Sequence, residues 1–159
     1  MRSSIRKKIN SLYGEIRDLS RDIGAPEDLE FVGKGTSRIV FRINSGRFGS
    51  ENRGRVVKFA MNGNGKLDNR LEKETWESVK KTDIQDFFCP IRACEENYNW
   101  LVMDYCEDAT GNPSVEGFKR TLLDRTGNMP DLQDENVGIH SRRGLVLRDY
   151  SWGSNIINQ

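Results

Sequence analysis

Along the first 25 residues the apolar positions Ile5, Ile9, Leu12, Ile16, Leu19 and Ile23 recur every three or four residues, and Gly24 and Pro26 end the run. That spacing predicts one N-terminal helix over 1–25 with a single apolar stripe. Fewer than three heptads is short for a free coiled coil, so packing against the rest of the chain is the expected use of the stripe, ahead of pairing with a protein partner. Beyond it the pattern changes to short apolar runs. Residues 31–41 read as two strands around a glycine-rich turn, residues 55–60 as a β-branched strand, and residues 99–106 as another strand. Residues 69–79 read as a helix with Glu72, Trp76 and Val79 on its inward face and Glu74 rotated away. Residues 115–123 read as a second short helix, and residues 137–139 and 145–147 as two strands joined by a polar turn from His140 to Gly144. The expected fold class is α+β.

Two connections carry residues without an evident task. The segment 44–54 is rich in glycine and polar side chains and reads as a solvated, mobile turn. His140, the one histidine, is expected to be exposed in its hairpin turn. Lys58 is different, because a lysine inside the run Val56-Val57-Lys58-Phe59-Ala60 is costly to bury unless it has a partner.

The candidate chemistry lies near the C-terminal end. Asn136 follows Asp131 by five positions, and Asp149 follows across the predicted hairpin. Magnesium prefers oxygen ligands and takes only one or two protein groups, leaving the rest of its shell to water and phosphate. Asn136 and Asp149 suit that sparse set as metal ligands, with Asp131 left to orient a hydroxyl nucleophile and accept its proton.

With the glycine turn, the buried lysine and these three polar residues in this order, the chain resembles the protein-kinase-like superfamily, in a minimal form similar to aminoglycoside phosphotransferases or compact protein kinases. The resemblance implies a bilobal α+β fold, with an antiparallel-sheet N-lobe over 28–105 and a truncated C-lobe over 106–159. It implies ATP and Mg2+ as cofactors. Gly33 and Gly35 would approach the phosphates, Lys58 would hold them, and Glu72 would pair with Lys58. Val40 and Val56 would cover the adenine, Met103 would be the gatekeeper, and the backbones of Asp104 and Cys106 would meet the base. Asp131 becomes the catalytic aspartate, and Asn136 and Asp149 the metal ligands. The chain departs from the family's pattern at four places: Arg38 stands for the third glycine, Met129-Pro130 precede Asp131, Tyr150-Ser151 follow Asp149, and Gly138 stands where a bulky apolar floor residue is usual.

The activity so implied is transfer of the γ-phosphoryl group to a hydroxyl acceptor on a protein or small molecule. The alternative is a catalytically weak pseudokinase that binds nucleotide or docks on a protein. Little chain lies between residue 106 and Asp131, or after Asp149, so no helical substrate-binding subdomain is expected.

A net charge of +1 gives no nucleic-acid signal. No apolar run of membrane-spanning length or secretory leader is read in the sequence, so a cytoplasmic protein without membrane attachment is expected. Cys89, Cys94 and Cys106 show neither a C-x-x-C pair nor zinc spacing, and they read as small core residues.

Overall fold

A computed structural model describes residues 6–11, 13, 28–127 and 132–151. The chain is α+β, and its contacts divide it into two compact units. Of the described residues, those up to 69 and 91–104 form the first, and 70–90 with those from 105 onward form the second.

The first unit is built on an antiparallel five-stranded sheet in the order β1-β2-β3-β5-β4. Its strands are β1 (Leu29–Lys34), β2 (Arg38–Ile43), β3 (Val56–Ala60), β4 (Ile91–Cys94) and β5 (Trp100–Met103). Successive side chains on a strand face opposite ways and cross-strand partners share a face. One face therefore carries Phe41 and Ile43 of β2, Val57 and Phe59 of β3, and Trp100 and Val102 of β5. These residues form the core together with Ile9, Leu29 and Phe48.

Residues 6–11 and 13 are helical, and they pack on that same core. Ile9 is buried, Tyr13 stacks on Phe59 with ring centroids 5.9 Å apart, and Asn10 accepts the Trp100 indole N–H at 2.7 Å. The remaining stripe positions Ile5, Leu12, Ile16, Leu19 and Ile23 lie outside the described residues.

The segment 44–54 is exposed along much of its length, as its composition suggests, but it is anchored at two positions. It forms two 3-10 turns, Gly46–Phe48 and Ser50–Asn52, and Phe48 enters the core at 1 % exposure. Asn52 is also buried, donating to the Phe48 carbonyl at 2.8 Å and accepting from Arg55 at 2.8 Å. One aromatic anchor and one amide thus order a polar loop.

The helix α1 spans Gly63–Val79, starting six residues before the expected position. Asn62 explains the earlier start: its Oδ1 accepts the Gly65 N–H at 3.0 Å, satisfying one of the orphan donors of the first turn. Gly65 is required there, because a Cβ would collide with the Ser37 carbonyl and lie 2.9 Å from Ala60 Cα. Through Asn69 the helix belongs to the first unit, and from Arg70 onward to the second.

The second unit holds the rest of α1, the helix α2 (Val115–Thr126) and a three-stranded antiparallel sheet, β6 (Cys106–Asp108), β7 (Val137–His140) and β8 (Gly144–Leu147), in that order. Residues 70–90, expected with the N-lobe, group here because their side chains find partners here. Glu72 meets Tyr150, Arg143 lies over the Trp76 ring at 5.9 Å, and Cys89 meets Cys106. Gly127 ends α2 in the left-handed region at φ 77°, donating to the Leu123 carbonyl.

Candidate functional site

In the first unit the sheet places several of the candidates side by side. Gly33 pairs with Val40, Val40 with Lys58, and Lys58 with Leu101, a single row across four strands. Val56 pairs with Met103 two residues along the same face. Val40, Val56, Lys58 and Met103 thus share the face opposite the hydrophobic core. Lys58 is 6 % exposed. The expected single strand over 99–106 breaks after Met103, and Cys106 starts β6 in the other sheet. At that break the Asp104 carboxylate is held by a bidentate ion pair from Arg92 at 2.8 and 2.7 Å, with Arg55 at 3.6 Å. Burial lowers the Arg55 pKa, and Asp104 partly offsets that effect.

Gly35, Thr36 and Ser37 form the turn between β1 and β2, and the Gly35 N–H donates to the Arg38 carbonyl at 2.9 Å. Three contacts tie this turn to the start of α1. Ser37 Oγ donates to Asp68 at 2.6 Å, Asn62 Nδ2 donates to the Thr36 carbonyl at 3.0 Å, and the Met61 N–H donates to the Ser37 carbonyl at 2.8 Å. A Cβ at Gly33 would meet nothing within 4 Å, and one at Gly35 would reach only the Arg38 carbonyl at 3.9 Å. Neither glycine has a positive φ. The fold itself does not demand glycine at either position. Arg38 is buried and donates to Asn69 Oδ1 at 3.2 Å; Asn69 in turn donates to the carbonyl of Tyr98, which holds φ 61°.

In the second unit the β7–β8 hairpin is flanked by two further candidates, Asn136 and Asp149. Val137 pairs with Leu147, and the Arg148 N–H donates to the Asn136 carbonyl at 2.8 Å. Asn136 enters the hairpin and Asp149 leaves it two residues after β8, so both stand at its open end. Asp131 lies outside the described residues. Among the described residues, no three His, Cys, Asp or Glu side chains cluster as a cation site. The oxygen donors of Asn136 and Asp149 still fit magnesium, whose shell is completed largely by water and phosphate.

Glu72 is fully buried on α1, and its carboxylate accepts the Tyr150 N–H at 3.1 Å. Glu74 is exposed and pairs with Arg70. Tyr150 is itself fully buried, edge-on to Phe88 with centroids 5.2 Å apart, and its hydroxyl donates to the Cys89 carbonyl at 2.7 Å. Burial raises its pKa well above the ordinary tyrosine value, and the nearby Glu72 carboxylate adds to the rise.

Two residues differ from what the sequence suggests. His140 is buried rather than exposed: it ends β7, and its Nδ1 accepts the N–H groups of Arg142 and Arg143 at 3.1 and 3.2 Å. It holds the turn together. Gly138 is required by packing, since a Cβ there would lie 2.7 Å from Cys106 Cβ and 2.9 Å from Arg148 Cδ. The Arg148 stem therefore lies close against Gly138, with its guanidinium donating to the Glu135 carbonyl at 3.1 Å. No motif in the sequence marks Arg148, because its role depends on a glycine ten positions earlier.

Compared with protein-family models and with curated proteins, the chain matches none. No helix among the described residues is long and apolar enough to cross a membrane.

Proposed function

We propose that the protein is an ATP- and Mg2+-dependent phosphotransferase of the protein-kinase-like superfamily, with the bilobal fold that membership implies. The observation that supports the reading is the β7–β8 hairpin, at whose open end the backbone positions of Asn136 and Asp149 both stand. In this reading those two residues hold the metal, which supplies neutralisation of the phosphate charge when bound. Gly33 and Gly35 leave the turn backbone open to phosphate oxygens, Lys58 holds the phosphates, and Val40, Val56 and Met103 offer apolar surface to the base with the backbones of Asp104 and Cys106. Glu72 holds the residue after Asp149 by its amide. Asp131 orients the acceptor hydroxyl of a protein or small molecule and takes its proton.

A catalytically weak pseudokinase is the second reading. Two observations favour it: Arg38 is engaged with Asn69 in place of the third glycine, and the Arg148 stem occupies the face of Gly138. In that case the N-terminal helix or another surface docks on a protein partner, in a cytoplasmic setting.

Incubation with labelled ATP and Mg2+, alone and with a host lysate, separates the readings. Transfer of label that Asp131→Asn abolishes, with nucleotide binding retained, supports the enzyme. Lys58→Met is expected to weaken nucleotide binding itself. Stabilisation by MgATP without transfer supports the pseudokinase. A melting temperature unchanged at millimolar MgATP removes both nucleotide-binding readings.

A further inference from the structure

Cys89 and Cys106 are both buried, and their Sγ atoms lie 2.9 Å apart. No disulfide joins them, and nothing in the spacing of the cysteines along the sequence announces them as a pair. Their place in the chain is specific. The backbone leaves the second unit after Pro90, runs through β4 and β5 in the first, and returns at Tyr105. Cys89 and Cys106 are the residues next to those two crossings, on the second-unit side of each.

Both ends are fixed. The Cys89 N–H donates to the Leu147 carbonyl at 2.8 Å, and its carbonyl accepts the Tyr150 hydroxyl. Cys106 is paired with His140 across the β6–β7 ladder. A disulfide needs an S–S distance of about 2.05 Å, so closure asks the sulfurs to move together by less than about 1 Å.

We infer that Cys89 and Cys106 are a reversible dithiol–disulfide pair that clamps the chain where it leaves and re-enters the second unit, oxidised by a small peroxide and reduced by a thiol. Cys106, 5 % exposed against 0 % for Cys89, is the attacking sulfur. Its thiolate displaces one peroxide oxygen, becoming a sulfenic acid as the O–O bond breaks and the first water leaves. The Cys89 thiolate then attacks the sulfenyl sulfur, forming the S–S bond and releasing the second water. Two electrons pass to the peroxide, and two S–H bonds are lost. Reduction by a dithiol returns both protons. None of this depends on the phosphotransferase reading.

The test is thiol counting on the full chain after hydrogen peroxide, by alkylation in denaturant and peptide mapping. The expected result is a fall from three alkylatable thiols to one, Cys94, with an intramolecular Cys89–Cys106 cross-link that dithiothreitol reverses. The cross-link closes a loop between positions 17 apart, and the oxidised chain should melt roughly 5–10 °C higher than the reduced one. Cys94→Ser should behave as wild type, and Cys106→Ser should leave Cys89 alkylatable. Should Cys106→Ser fail to fold, the wild-type peptide map decides alone. A cross-link that involves Cys94 or joins two chains overturns the inference. So does Cys106 advancing to a sulfinic acid beside an alkylatable Cys89, three thiols left intact, or a melting temperature that does not rise on cross-linking.

Discussion

The Glu72 carboxylate accepts the backbone N–H of Tyr150 at 3.1 Å, with both residues fully buried. A buried carboxylate is costly unless its oxygens are satisfied, and a buried amide is costly without an acceptor. The contact offsets part of both costs. The contact holds the chain just after Asp149 against α1, which fixes where the β7–β8 hairpin ends.

Replacing Glu72 tests that dependence. Glu72→Ala strands the Tyr150 amide and leaves a void, and should cost about 2–4 kcal/mol of stability. Glu72→Gln keeps an oxygen for the amide and should cost less. Urea unfolding of both variants gives the comparison, and equal losses would show that the amide contact is not what Glu72 supplies.

Tyr150 gives a pH-dependent signature. Its folded-state pKa is raised above the ordinary value of 10.0, first by burial and then by the Glu72 charge. Folding thus favours the neutral phenol. The stability this provides is fully present below pH 10 and is lost as pH rises above it, through the folded-state value. Tyr150→Phe should cost about 1–3 kcal/mol at neutral pH, because the Cys89 carbonyl loses its donor. Between pH 8 and pH 11 its urea midpoint should fall less steeply than that of wild type, and parallel slopes would remove Tyr150 as the titrating group.

What the sequence made legible followed periodicity. The β-branched run around Lys58 and the paired apolar runs on either side of His140 are strands, and Glu72, Trp76 and Val79 are buried while Glu74 is exposed. The features that were missed depend on partners distant along the chain or on single side chains. Phe48 turns a polar loop into part of the core, and Asn62 starts a helix among glycines that propensity disfavours. His140 is buried because two backbone amides of its own turn need an acceptor. Residues 70–90 join the second unit through Tyr150, Arg143 and Cys106, contacts between side chains that no local pattern announces.

The N-terminal helical segment offers a stability test. Ile9 is 2 % exposed in the core of the first unit. Ile9→Ala should cost about 2–5 kcal/mol, the usual range for a large core truncation. Sedimentation should give the same assembly state for wild type and variant. A change of assembly with little loss of stability would mean instead that the stripe serves a second chain.

The glycines divide into two groups with opposite expectations. At Gly65 a Cβ meets the Ser37 carbonyl and Ala60 Cα, so Gly65→Ala forces the glycine turn away from α1 and should cost about 1–3 kcal/mol. At Gly33 and Gly35 a Cβ meets open space or a single atom at 3.9 Å, and the backbone is not left-handed. Alanine there should leave stability within about 1 kcal/mol of wild type. If the turn backbone approaches phosphate oxygens, the same two substitutions should weaken MgATP binding, because a methyl group then occupies the approach. Thermal melts with and without MgATP read both effects on one sample. Alanines that leave both stability and the nucleotide-induced shift untouched would detach Gly33 and Gly35 from the phosphate role, and the nucleotide reading would then rest on Lys58, Asn136 and Asp149.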